Sequence, residues 1–331
     1  MLSVDRESIL EVLMSLIIAF AVGTVVLVVL GYDPIRVYSI LFKYGYGNTD
    51  YLLKKSTPLL LTGLAFSVPA IAGVFNIGGE SQLYVGAITA LLVAHYTGSA
   101  IPAVIIGTAA GALLGLTIAA LRVYRNINEV ITAIMLNWTF FYFIAYLVSA
   151  KYANPKVPHE SVPVPPGARI GGIFFIAVLT ALTYYYVLHF TEIGYKMRVS
   201  GVSPQSARYA GFSPEKMVLT SMLLGGAAAG LGGALLVLGA TYTIDTTLSA
   251  IYGIGFTGIG IGLLGRNNPV GIIFSSLFMS GLIIGGQWVE LKTGAPPELA
   301  DTLIGVIVIA LAVPYAYRLL MKKVGQRGSA A

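Results

Sequence analysis

Cysteine is absent from this 331-residue chain, which excludes disulfides, a thiol nucleophile and any thiolate metal site. Charge is scarce too. Asp, Glu, Lys and Arg together make up 10% of the residues, against roughly 25% in a soluble domain, so a soluble fold is excluded. The three histidines, His95, His159 and His189, lie too far apart to have metal-ligand spacing. No Ser-His pair falls at a shared depth for nucleophilic chemistry. There is no Gly-Lys dipeptide, hence no G-x-x-x-x-G-K-[ST] loop to cradle nucleotide phosphates. The net charge of +6 comes without a basic run interleaved with aromatics, so no nucleic-acid surface is expected.

What fills the chain instead is apolar. Hydrophobic residues make up 56%, and the mean hydropathy is +0.83. Runs near the ~20 residues that cross a bilayer as helix fall at 9–30, 58–75, 79–96, 101–124, 129–150, 170–190, 217–240, 248–264, 270–288 and 299–320. The first outlasts the apolar core of a signal peptide and no A-x-A site follows, so it counts as a helix. The expectation is an all-α, polytopic membrane protein, a single transmembrane domain over 1–331 with about ten transmembrane helices; 248–264 is the shortest run. With both ends in the cytoplasm, twelve of the twenty Lys and Arg residues fall on the inner side, as the positive-inside rule favours. The basic tail after Arg318 is the clearest anchor.

One polar loop stands out, 191–216. It carries Lys196, Arg198, Arg208 and Lys216 against Glu192 and Glu215, which places it in the cytoplasm. Short, basic and punctuated by Gly and Pro, it reads as a surface built to dock onto a separate partner. On the other side, 151–169 holds five prolines and should run extended without helix, either as a plain connector or as a rim for an extracytoplasmic partner. The tyrosine-rich stretch 31–57 should lie along the membrane surface.

Some polar residues fall where hydrocarbon would penalise them. Asn76, Glu80 and Gln82 interrupt the apolar pattern between two spans with Gly78 and Gly79. Such a stretch must face protein or a watery cavity, and its ionisable groups are functional hypotheses; the plain alternative is a cytoplasmic hairpin turn. Asn137, beside Trp138, is placed to bridge helices. Asp245 marks an outer end rather than a proton site. The run 225–233, all Gly and Ala but for Leu231, must pack closely against another helix. At an offset of 167 residues Gly86, Gly98 and Pro102 match Gly253, Gly265 and Pro269, on spans of opposite direction, as an inverted repeat would give.

Taken in order, Asn76-Ile77-Gly78 with Glu80 and Gln82, Asn128-Glu129-Val130-Ile131 with Met135-Leu136-Asn137, and Gly201 through Ala207-Arg208-Tyr209-Ala210-Gly211 resemble a permease of the ABC importer superfamily. The branch is the one serving ribose, branched-chain amino acids and nucleosides, nearest the simple-sugar and nucleoside permeases. The likeness spans 58–288. It implies two permeases, identical or paired, on two cytoplasmic ATP-binding cassette ATPase subunits, with an extracytoplasmic solute-binding lipoprotein delivering substrate for import. ATP would be hydrolysed on a separate chain, and this one would carry no cofactor. The resemblance makes 203–211, Ser203 to Gly211, a coupling helix in which Arg208 and Tyr209, beside Ala207, contact the ATPase while Gly201, Pro204 and Gly211 set the turns. It routes the solute past Asn76, Glu80, Gln82 and Asn137. The rival reading is a secondary transporter driven by an ion gradient, with Glu80 or Asp245 as its proton or sodium site. A membrane-embedded enzyme or scaffold lacks any catalytic constellation.

Overall fold

Helix ends in this chain fall where capping residues and prolines permit them. A computed structural model describes residues 6–296, 299, 301–303, 305 and 306; most of the tenth expected span and the basic tail lie outside the described residues. The helices are α1 (Arg6–Val29), α2 (Pro34–Gly45), α3 (Thr49–Ile71), α4 (Gly79–Thr97), α5 (Ala100–Arg125), α6 (Glu129–Ala150), α7 (Ile173–Phe190), α8 (Glu192–Val202), α9 (Pro204–Tyr209), α10 (Pro214–Leu236), α11 (Ile254–Leu264) and α12 (Pro269–Thr293). A π-helical turn, Val237–Thr241, extends α10. Among the described residues, five segments are long and apolar enough to cross a membrane: α5, α6, Pro166–Phe190, α10 with its π turn, and α12. The chain is a mostly helical, polytopic membrane protein.

Two units are distinguishable, one formed by Leu53–Leu277 and the other by the described residues on either side. In the flanking unit, Asp33 Oδ1 accepts from the Ile35 amide at 3.0 Å and Pro34 opens α2, a favoured N-terminus. The helix buries Val37, Ile40 and Leu41. The stretch expected along the membrane surface is therefore an amphipathic helix plus the start of α3. That start, at Thr49, precedes the apolar run because the Asn48 side chain accepts from the Tyr51 amide at 3.1 Å.

In the central unit, burial sorts the helices. The apolar cores of α5, α6 and α7 are only 33%, 22% and 17% buried, whereas that of α10 is 78% buried. The first three present apolar side chains outward, as lipid requires. α3 is buried without a break from Ser56 to Pro69, and its protein surroundings are what tolerate Ser56, Thr57, Thr62 and Ser67.

The small-residue run expected to pack closely does so, against α5 and α4. A Cβ on Gly111 of α5 would lie 2.5 Å from the Gly230 Cα and 2.6 Å from the Gly226 carbonyl oxygen. One on Gly86 of α4 would lie 2.5 Å from the Gly230 Cα. No side chain fits between these backbones, so the contact is backbone on backbone.

Opposite the basic loop, the proline-rich stretch is more ordered than expected. Ala153–Asn154 (β1) and Val157–Ser161 (β2) pair antiparallel, and a short 3-10 turn at Pro166–Ala168 replaces the expected helix-free run. The same strand bonds onward: the Ser161 amide to the Ile244 carbonyl at 2.8 Å, the Val164 amide to that of Tyr242 at 2.8 Å and the Thr246 amide to that of His159 at 2.9 Å. Asp245 sits in this edge, partly exposed, and accepts from Thr247 and from the Ser249 amide. Its carboxylate is used in capping a turn.

Candidate functional site

α3 contains Pro69, which has no amide hydrogen to give the carbonyl one turn earlier. The Ala65 carbonyl thus released accepts from Asn76 Nδ2 at 2.9 Å. This bond folds the segment after α3 back along it, so 76–82 is not an exposed turn: Asn76, Glu80, Ser81 and Gln82 are all buried. Asn76 and Gln82 then pair amide to amide, Nδ2 to Oε1 at 3.1 Å and Nε2 to Oδ1 at 3.3 Å. Asn76 Oδ1 also accepts from the Gly78 amide at 3.0 Å.

Asn137 reaches into the same place from α6. Its Oδ1 accepts from the Ser81 amide at 3.0 Å and its Nδ2 donates to the Ile77 carbonyl at 3.2 Å. One side chain thereby satisfies a free donor at the start of α4 and a carbonyl of the turn before it. Asn137 is the helix bridge its position led one to expect, and it joins the other three predicted pathway residues in one buried cluster.

Glu80 has a role that sequence reasoning missed. α11 is 11 residues long, about half of the hydrocarbon thickness at ~1.5 Å rise per residue. Its N-terminus is therefore a set of free amides inside the protein. The Glu80 carboxylate takes them: Oε1 accepts from the Gly253 amide at 2.5 Å, and Oε2 from Gly255 at 2.6 Å and Phe256 at 3.2 Å. Tyr84, one turn along α4, donates its hydroxyl to Oε1 at 2.5 Å. A negative group at the positive end of a helix is favourable in its own right. Approach this close also needs Gly255, where a Cβ would meet the Glu80 Cα at 2.5 Å. The Tyr84 spacing of i+4 was legible in sequence; the pairing with Gly253 and Gly255 was not.

Beside this cluster lies a small cleft of about 20 Å³, lined by Glu80, Tyr84, Ile134, Asn137, Trp138, Phe141, Tyr252 and Phe256.

At the basic loop the structure has two helices with a corner at Ser203. Ser203 Oγ accepts from the Ser206 amide at 3.2 Å and Pro204 is the first residue of α9. Gly211, at φ +81°, closes the segment. Gly201 does not set a turn. It lies in the last turn of α8, where any Cβ would strike the Ile71 carbonyl. Ala207 is the fully buried residue of α9. Arg208 Nη2 donates to Glu215 Oε1 at 2.5 Å, tying α9 to the first turn of α10. Tyr209 is 95% exposed and Val202 89%. The Lys196 ammonium, 2.6 Å from Glu192, holds that carboxyl below its usual range by hydrogen bond and charge.

Residues 48–312 match the family model described as the branched-chain amino acid transport system permease component. The guanosine ABC transporter permease protein NupP of Bacillus subtilis is 32% identical, with 96% of this chain and 97% of that protein aligned. The nucleoside ABC transporter permease protein NupB of Lactococcus lactis is 28% identical over 96% of this chain and 94% of its own length. The glucose ABC transporter permease protein TsgB13 of Haloferax volcanii is 31% identical over 90% and 85%. No solved structure matches significantly. With polytopic helices, an ordered basic loop and a family match over most of its length, this chain belongs to the branched-chain amino acid transport system permease component family.

Proposed function

We propose that this chain is the membrane-spanning permease subunit of an ATP-driven importer for nucleosides or simple sugars. ATP-binding cassette ATPase subunits, a second permease of the same or homologous sequence, and an extracytoplasmic solute-binding lipoprotein complete the machine, and this chain contributes no cofactor. The solute passes the cluster of Asn76, Glu80, Gln82 and Asn137. Both termini are cytoplasmic and the helices number about ten. An inverted repeat is supported by matched residues at two helix junctions: Gly98 and Pro102 between α4 and α5, and Gly265 and Pro269 between α11 and α12.

The observation that carries this reading is the tip of α9. Tyr209 is held out into water by a helix capped at Ser203 and clamped through Arg208 and Glu215. An apolar ring displayed on a fixed base is a docking feature. Arg208 then acts by positioning α9, and Tyr209 makes the contact.

Co-purification with the ATPase subunit tests this. Tyr209→Ala should cut recovered complex by about thirtyfold in affinity, the effect of losing a ~2 kcal/mol hot spot. Arg208→Glu sets two carboxylates side by side and should also break the complex, while the swap Arg208→Glu with Glu215→Arg should restore it. Undiminished complex in every variant would remove α9 as the coupling element. Failure of the folded wild type to bind an ATPase would return the function to an ion-driven transporter. Against that rival, the four donors on Glu80 match the roughly four lone-pair positions of a carboxylate, leaving none for a proton or sodium ion.

A further inference from the structure

The flanking unit carries a cavity that solute transport does not use. It measures about 340 Å³ and is lined by Arg36, Ser39, Ile40, Lys43 and Tyr44 of α2 and by Lys292 of α12, a size within the ~300–1,000 Å³ of small-ligand sites. Arg36, Ser39 and Lys43 recur at i, i+3 and i+7 and so share one face of α2. Bare backbone fixes that helix on α12: a Cβ on Gly45 would strike the Gly281 carbonyl, and one on Gly285 the Leu41 carbonyl. Lys292 is thereby brought to the α2 cations. Its ammonium lies 4.6 Å from the Tyr44 ring centroid and 5.7 Å from that of Trp288, and these two rings stack at 4.9 Å. Among the described residues, three cations line this opening and no carboxylate does. None of the three forms an ion pair there, and Asp33, the acidic residue nearest to Arg36 in sequence, is used in capping α2. Like charges gathered at one opening repel, and an anion relieves that repulsion.

What flanks the cations tells which anion. Ile35 and Phe42, each one residue before a cation, are exposed apolar side chains of α2. Seven residues apart, they form a stripe beside the basic one. Lys292 lies in the last turn of α12, which is long and apolar enough to cross the membrane, so it stands where headgroups begin. Trp288 and Tyr44 are residues of the kind that mark this level. A free phosphate or an acidic protein surface would use the cations and leave the apolar stripe in water. A phospholipid uses both, as a helix with basic and apolar faces lying in the interface requires. A zwitterionic headgroup would bring its own cation to a place that already holds three, with Lys292 on the Tyr44 and Trp288 rings. We propose that this cavity holds the phosphate of an anionic phospholipid headgroup, bound by Arg36, Ser39, Lys43 and Lys292, with the acyl chains along Ile35 and Phe42. The site is independent of the importer reading.

The chain has two tryptophans. Trp138→Phe therefore leaves Trp288, beside the cavity, as the sole indole reporter, and Trp138→Tyr serves the same purpose if the first does not fold. The full chain is reconstituted into vesicles of four parts phosphatidylcholine to one part phosphatidylglycerol, with bromine on the acyl chains of one lipid or the other. Brominated phosphatidylglycerol should quench Trp288 with an association constant at least about tenfold above that of brominated phosphatidylcholine, and Arg36→Gln or Lys43→Gln should each lower the preference by about fivefold, the effect of one cation near the surface. Arg36→Lys keeps the charge and should keep the preference, as should Lys156→Gln, an exposed lysine outside the cavity. Equal quenching by the two lipids, or a preference that survives Arg36→Gln combined with Lys43→Gln, overturns the proposal. Loss of the preference in millimolar inorganic phosphate at fixed ionic strength would make this a free-anion site and overturns the lipid assignment. Absent lipid preference, with capture of the solute-binding lipoprotein lost in the same double variant, would assign the cations to an acidic protein surface instead.

Discussion

Glu80→Gln should yield a protein that unfolds well below the wild type, despite differing by one atom type. Glutamine keeps one acceptor oxygen and turns an NH2 group toward backbone amides that also donate. At least one of the Gly253, Gly255 and Phe256 amides then loses its partner. A buried donor left unsatisfied costs about 1–3 kcal/mol, more where the lost partner was charged, and the donor-against-donor contact adds to it. A loss of about 3 kcal/mol is expected, concentrated on the start of α11. Tyr84→Phe removes a single donor and should cost about 1 kcal/mol. Thermal survival of the monodisperse peak in detergent measures both. Wild-type stability for Glu80→Gln would mean that the carboxylate does not hold the start of the half-length helix.

Gly111→Val should abolish folded protein altogether. The new Cβ alone would sit 2.5 Å from the Gly230 Cα, 2.6 Å from the Gly226 carbonyl oxygen and 2.8 Å from the Gly230 amide nitrogen. Every one of these atoms is backbone, so no rotamer change relieves the clash, and α5 or α10 must move bodily. Overpacking in cores costs about 1–3 kcal/mol where side chains can shift; here they cannot, and the loss should exceed that range. Gly171→Ala is the control, since nothing lies within 4 Å of its added carbon. Yield of inserted, monodisperse protein separates the two. Comparable yields would show that the α5–α10 contact is looser than the backbone distances require.

These outcomes turn on features of unequal visibility in sequence. Apolar run length located the helices of the central unit, because lipid-facing α5, α6 and α7 must be apolar along their length. Asn76, Glu80, Gln82 and Asn137 were visible as polar residues in apolar context, and the structure gathers them. Their partners were not visible. Glu80 bonds to an amide 173 residues away, and hydropathy says that a carboxylate needs a partner without saying which. The half length of α11 escaped for a related reason: the apolar turn before it, holding Leu248 and Ile251, is buried like a helix without being one. At the basic loop, charge counting singled out Arg208 and the resemblance gave it a partner to contact. Its pairing with Glu215, seven residues on, needs the α9–α10 corner to exist first.

Gly201 gives the basic loop a mechanical property. It sits against the Ile71 carbonyl and Gly73 with no side chain between them, two residues before the Ser203 corner and a few residues of chain from Asn76. A joint made of two bare backbones has no compliance: unlike a leucine contact, it cannot absorb a push by changing rotamer. A push on this end of α8 would therefore reach the end of α3 through backbone alone, with no side chain between them to take it up.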